Sequence, residues 1–239
     1  MGNKQDVVLE TAQYNRVKGA EWFPLLFKKD VLVLGQGGIG SWTSILLSRI
    51  GCNLHVYDMD VYEEHNLTGQ LVGRSGIGQL KTDAIKATIL ELSPDCAVCT
   101  NGEYGLRSDT NDIIICGFDN MRSRSLAFEK WKQYVNSGDV DKSKCFFQDG
   151  RLLAEQLQIF NIPGDRPDLM EIYEKEHLFS DDDVKEAECT FKQTSHVAAM
   201  IAGHMVGFLT NWITNANSEE KIRQVPFFYE YYVPINLTS

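Results

Sequence analysis

Across 239 residues, 43% of them hydrophobic, the chain carries enough apolar material for a full core. Its 33 acidic residues outweigh 23 basic ones, and the formal charge of −10 argues against a free-standing binder of nucleic acid or anionic membranes, whose phosphates call for a basic surface. The opening MGNKQDVVLETAQ has no apolar signal-peptide core, and position 6 is Asp where a myristoylation motif wants Ser or Thr.

In chain order, DVLVLG (30–35) reads as a buried strand. Ile39, Ile45, Leu46 and Ile50 then give a helical stripe that ends at Gly51. NLHVYD (53–58) is the next strand, and 78–92 forms a helix closed by Ser93-Pro94. CAVCTN (96–101) and DIIICGFD (112–119) read as strands, and 121–135 as a helix. CFFQDG and AEQLQIFNI (154–162) read as later strands, followed by an acidic surface segment with some helix. Residues 194–214 read as a helix, although VAAMIAGHMVGFL within it is too short for a bilayer span, and VPFFYEYYVPI closes the chain as strand. The alternation predicts an α/β domain with a mostly parallel sheet: a nucleotide-binding core over 1–150, with 151–239 folded onto it. Six cysteines with no framework spacing and no export signal point to reduced thiols in a cytoplasmic protein.

The stretch VLVLGQGGIGSW carries Gly35, Gly37 and Gly40 as G-x-G-x-x-G between strand and helix. The first glycine permits a tight turn, the second a close approach to phosphate, and the third close helix–strand packing. Asp58 ends the following strand, where an acid can bond a ribose hydroxyl. The turn alone serves an NAD-dependent oxidoreductase as well as an ATP-using enzyme. Gly38, Asp60, Asn66, Lys81 and Asp119 separate the two, because strand C-termini and their loops form one crevice. A triphosphate needs that mixture: a cation for phosphate, an acid for Mg2+ and an acid for ribose.

GQGGIGSW, YDMDVYEEHNLTGQ, IGQLKTDA and CGFDNMRSR resemble, in order and spacing, the motifs of the ubiquitin-activating-enzyme superfamily, in particular its short ThiF/MoeB/HesA-type adenylyltransferases. The resemblance covers about residues 14–162 and resumes near 189–210. It implies a Rossmann-like, mostly parallel sheet with flanking helices and a small C-terminal extension containing antiparallel strands. The implied activity is adenylation of a C-terminal carboxylate on a ubiquitin-like or sulfur-carrier protein, with ATP and Mg2+. By the same resemblance Gly35, Gly37, Gly38 and Gly40 shape the phosphate turn, Asp58 holds ribose, and Asp60 and Asn66 lie beside the nucleotide. Lys81 neutralises the phosphates and Asp119 binds Mg2+. Arg16, in QYNRV, matches an arginine that reaches the neighbouring subunit's triphosphate, which implies a homodimer.

Two departures stand out. Gly69, in NLTGQ, occupies the place of a phosphate-binding arginine, and Arg74 is the expected substitute. Cys96 and Cys99 form the chain's lone C-x-x-C pair, so a four-ligand structural zinc is not expected. Cys189-Thr190 resembles the Cys-Thr pair of thioester-forming relatives, which makes Cys189 a candidate thioester or persulfide nucleophile, with a partly buried structural cysteine as the alternative. A binding module weakened in catalysis by Gly69 is the remaining reading.

Overall fold

Apolar β-branched runs separated by amphipathic stretches can bury both faces of a sheet under helices, and that is the arrangement adopted. The computed structural model describes residues 12–180, 194–235 and 237–238. Eight strands form one sheet in the order β3-β2-β1-β4-β5-β6-β7-β8. The strands are β1 (Asp30–Leu34), β2 (Asn53–Tyr57), β3 (Val98–Asn101), β4 (Ile113–Cys116), β5 (Phe146–Leu153), β6 (Gln156–Pro163), β7 (Phe228–Tyr232) and β8 (Leu237–Thr238). The pairings from β3 through β5 are parallel, and those from β5 through β8 are antiparallel. The sheet is therefore mixed and mostly parallel at its core, with an antiparallel C-terminal extension. β5 runs through residue 150, so both parts of the chain share one sheet.

Helices α1 (Gly38–Arg49), α2 (Lys81–Leu92) and α5 (Ser195–Ala216) cover one face. Their Ile45, Leu47, Ile85, Ile89, Ile201, Met205 and Leu209 pack on Val31, Val33, Leu54, Val56 and Ile159. Helices α3 (Met121–Val135) and α4 (Pro167–Ile172) cover the other, with Phe128, Trp131 and Met170 against Leu32, Ile114 and Phe147. The sequence is long and apolar enough at α5 to cross a membrane, yet Val197, Ile201, Met205, Leu209 and Trp212 are buried, and Trp212 stacks on Phe146 at 4.6 Å.

Several boundaries differ from the sequence reading for local reasons. Helix α2 starts at Lys81 rather than 78 because Gly78 takes φ +85°, and residues 79–81 bridge back to 60–62 instead. β3 starts at Val98, since the preceding Cys96 thiol turns onto the Cys52 carbonyl at 3.2 Å. The acidic segment after β6 becomes α4 and a wide helical turn over Tyr173–His177.

Candidate active site

β1 lies between β2 and β4, so the chain leaves it in opposite directions and opens a crevice at the carboxyl ends of these strands. The glycine turn fills that point. Gly35 has φ +82°, and a Cβ there would lie 3.0 Å from the Gly117 carbonyl oxygen after β4. At Gly40 a Cβ would fall 1.7 Å from the Gly35 oxygen, so strand and helix touch through backbone alone. Gly37 is the reverse: nothing lies within 4 Å of a Cβ placed there. Gly38 begins α1, and no side chain caps its first turn, which leaves backbone N–H groups and the positive helix end toward the crevice. Gln36, inside the turn, is held by Nε2 donating to the Val33 carbonyl at 3.0 Å and Oε1 accepting from Ser44 at 2.9 Å.

Asp58 follows β2 and is fastened to the turn. Its carboxylate accepts from the Gln36 N–H at 2.6 Å and the Asp60 N–H at 2.8 Å. Burial pushes its pKa up, against the opposing pull of Lys81 and these two N–H groups. An antiparallel bridge between Val61 and Leu80 brings Asp60 beside Lys81. The Lys81 N–H donates to the Asp60 carbonyl at 2.9 Å, and Nζ pairs with the Asp60 carboxylate at 2.7 Å. Lys81 is 12% exposed and Asp60 58%, so the ammonium is sheltered while its partner remains open to exchange. Asn66 is spent locally, its Oδ1 accepting from the Glu63 N–H at 2.9 Å in a capping box.

Asp119 is exposed on the loop between β4 and α3, with Oδ1 accepting from Asn120 at 3.3 Å. Asn120 caps α3 through the Ser123 N–H at 2.8 Å. Arg124, one turn into α3, donates to the Phe118 carbonyl and to Asp149. This support was not foreseen from the sequence. Asp149 is 0% exposed and also accepts from Arg151 at 2.7 Å and Tyr173 at 2.9 Å, while Arg151 donates to the His177 carbonyl at 2.9 Å. The guanidinium of Arg151 lies 4.6 Å from the Phe160 ring centroid. The available signal was two charges, D-G-R, inside the apolar run FFQDGRLL.

The structure thus gathers the glycine turn, Asp58, Asp60, Lys81 and Asp119 at the carboxyl edge. Arg16 does not join them: Tyr14, two residues earlier, packs on Phe23, Phe27 and Gly51 at the amino end of β2. Arg74 pairs with Glu64 at 3.3 Å on the surface, both about three-quarters exposed. Cys189 lies outside the described residues. Cys96 is buried and Cys99 exposed, and among the described residues no group of three or more His, Cys, Asp or Glu is placed to hold a metal.

Fold and site together define a nucleotide-binding α/β protein whose glycine turn sits at the sheet's switch point. The chain belongs to the ThiF family, whose model matches residues 12–234. It is 33% identical over 96 residues to a tRNA threonylcarbamoyladenosine dehydratase of Haemophilus influenzae, a match covering 39% of this chain and 37% of that protein. It is 32% identical over 108 residues to the adenylyltransferase and sulfurtransferase MOCS3 of Drosophila virilis, covering 40% and 23%. The matched stretches are thus a little over a third of the first relative's length and under a quarter of the second's. The E. coli MccB structure with ATP shares the fold at TM-score 0.71 and 15% identity, over 96% of this chain and 71% of MccB.

Proposed function

We propose that the protein adenylates a carboxylate with ATP. The carboxylate oxygen attacks the α-phosphorus, the bond to the bridging oxygen breaks, and pyrophosphate leaves with its electron pair. The observation that carries this reading is the sheltered Lys81 ammonium, paired to Asp60 at the same sheet edge as the uncapped glycine-turn helix. A fixed cation there stabilises charge moving onto pyrophosphate. The open space over Gly37 fits a phosphate, since the backbone can be approached where no Cβ intrudes. Asp119 suits Mg2+, which commonly takes one or two carboxylates together with substrate phosphates; when bound, the ion would neutralise the phosphate oxygens.

The acceptor we favour is the C-terminal tail of a small ubiquitin-like or sulfur-carrier protein, supported by likeness to a relative named as an adenylyltransferase and sulfurtransferase. A carboxylated tRNA base is the second reading, supported by the dehydratase relative and opposed by the charge of −10. We place the protein in the cytoplasm as a homodimer, in which Arg16 serves the partner's site. Transfer onward through Cys189 belongs to the same proposal.

The test is ATP–pyrophosphate exchange with purified Gly-Gly-tailed carriers in one arm and threonylcarbamoylated tRNA in the other. Exchange with a carrier, lost in Lys81→Ala and Asp119→Ala, supports the reading. Exchange with tRNA alone transfers it to the second acceptor. Exchange with neither, under conditions where the protein binds ATP, favours a non-catalytic module.

A further inference from the structure

The connection from β3 to β4 passes β2 and β1 in the sheet, yet residues 102–112 form no helix. Parallel strands are usually joined through a helix, which satisfies its own backbone. Here a side chain of α3 supplies donors to the irregular crossover instead. Lys130 Nζ donates to the carbonyls of Gly105 at 2.8 Å, Leu106 at 3.3 Å and Ser108 at 2.5 Å. The same ammonium lies 4.7 Å from the centroid of the Tyr104 ring. Three carbonyls and a ring face offset the cost of taking a half-buried ammonium out of water. A cavity of about 600 Å3, bordered by Tyr57, Asn101, Leu106 and Arg107, lies beside the crossover, so packing alone does not seat it.

From Lys130 the contacts lead to the crevice in two steps. Tyr104 is buried and stands edge-on to Tyr57, with ring centroids 5.1 Å apart. Tyr57 ends β2, and its carbonyl accepts from the Gly35 N–H at 2.8 Å. Asp58 comes next, and its N–H donates at 3.4 Å to the carbonyl of Asn101, the last residue before the crossover. We infer that Lys130 is a positioning residue for nucleotide binding: its ammonium locks the crossover, so that Tyr104 braces Tyr57 and keeps Asp58 set for the ribose. The inference rests on the reading that Asp58 accepts from ribose hydroxyls, and adds to it a residue well inside α3. The phosphate turn is held separately, through the backbone contacts of Gly35 with Gly117 and of Gly40 with Gly35. Loss of the lock should therefore fall on the ribose end of the ligand.

The experiment is calorimetric binding of ATP, 2′,3′-dideoxy-ATP and inorganic triphosphate to the full chain, each with Mg2+. Lys130→Met keeps the unbranched stem and removes the charge. It should weaken ATP binding about tenfold, the ordinary weight of a hydrogen bond to a charged partner, and leave the other two ligands nearly unchanged. Lys130→Arg should restore most of the loss, since a guanidinium can serve several carbonyls and lie over a ring. Lys132→Met, on the same helix and paired outward with Glu174 at 2.6 Å, should bind all three ligands as the unaltered protein does. If Lys130→Met does not fold, Lys130→Gln, which keeps a neutral donor, carries the same comparison. Unchanged ATP affinity, or an equal loss for all three ligands, overturns the inference and leaves the adenylation reading standing. Equal binding of ATP and dideoxy-ATP by the unaltered protein overturns the ribose role of Asp58 and the inference with it. Absence of ATP binding by the unaltered protein overturns the adenylation reading as well.

Discussion

Arg124 and Asp149 form an ion pair almost wholly removed from solvent, 6% and 0% exposed, which joins the loop carrying Asp119 to β5. The guanidinium also donates to the Phe118 and Gly150 carbonyls, and the carboxylate also accepts from Arg151 and Tyr173. A single carboxylate therefore ties together the approach to Asp119, the start of the antiparallel wall and the turn over Tyr173–His177. Its removal leaves two sheltered guanidinium groups sharing no counter-charge. Asp149→Ala should cost about 3–5 kcal/mol in urea unfolding, the range for breaking a buried pair from one side. Asp168→Ala, which breaks the exposed Arg166–Asp168 pair, should leave the unfolding midpoint unmoved. Equal losses in the two variants would show that the buried network is not an anchor.

Two glycines of the turn should fail in different ways. A methyl group at residue 40 falls on the Gly35 carbonyl, and backbone cannot yield as a side-chain tip can. Gly40→Ala should therefore lower the thermal midpoint and ATP affinity together. At residue 37 the methyl group meets nothing within 4 Å, so Gly37→Ala should melt as the unaltered protein does. Its methyl group would stand where phosphate approaches the backbone, and ATP affinity should fall by tenfold or more, on the order of one lost charge-assisted hydrogen bond. A Gly37→Ala variant with full ATP affinity would remove the turn from the binding site.

How far the sequence discloses this arrangement depends on the range of the interactions involved. The glycine turn, α1 and the strands beside it follow from short-range pattern, because each glycine answers to a neighbour fixed by the same βαβ unit. Asp60 and Lys81 are legible as separate polar residues. Their pairing depends on the Val61–Leu80 bridge, across eighteen intervening positions with an irregular path. Asp149 stands near the end of the strand read at CFFQDG, where local pattern gives it no partner. Its meaning comes from the register Cys116↔Asp149 and from Tyr173 on a later segment, which local periodicity does not encode. Arg74 was the natural substitute for a missing cation by proximity in sequence, and the turn over Arg74–Gly76 instead directs it to Glu64.

Asp58 gives the site a pH signature. Burial raises its pKa above the ordinary aspartate value, and Lys81 is the largest influence in the opposite direction. A raised native pKa means that the folded state holds the proton more tightly. This carboxyl's contribution to stability is therefore present below the ordinary value and lost as pH rises through the native one. On the reading that Asp58 accepts from ribose hydroxyls, its ionised form is the stronger acceptor, so ATP affinity should weaken on acidification at a pH above the ordinary aspartate range. Lys81→Met removes the opposing charge and should move the Asp58 titration, followed by carboxyl-carbon NMR, to still higher pH. A shift toward lower pH would show that the ammonium does not act on Asp58.

Arg16 supplies a test of subunit sharing that does not depend on knowing the acceptor's identity beyond one that supports exchange. Tyr14 anchors the Arg16 turn at the amino end of β2, and the five residues of that strand rise about 3.3 Å each before the chain reaches Asp58. An arginine side chain on the amino side of the sheet serves the glycine turn of a second copy more readily than its own. Arg16→Ala and Lys81→Ala should each be inactive in ATP–pyrophosphate exchange as pure proteins. Mixed after reversible dissociation, they should recover activity, because the Arg16→Ala subunit keeps its own Lys81 and receives Arg16 from its partner. With random pairing, half of the dimers are mixed and each holds one intact site, so about a quarter of the unaltered activity should return. If the mixture stays inactive while its subunits exchange, Arg16 and Lys81 must act within one chain, and the composite site is lost as an explanation.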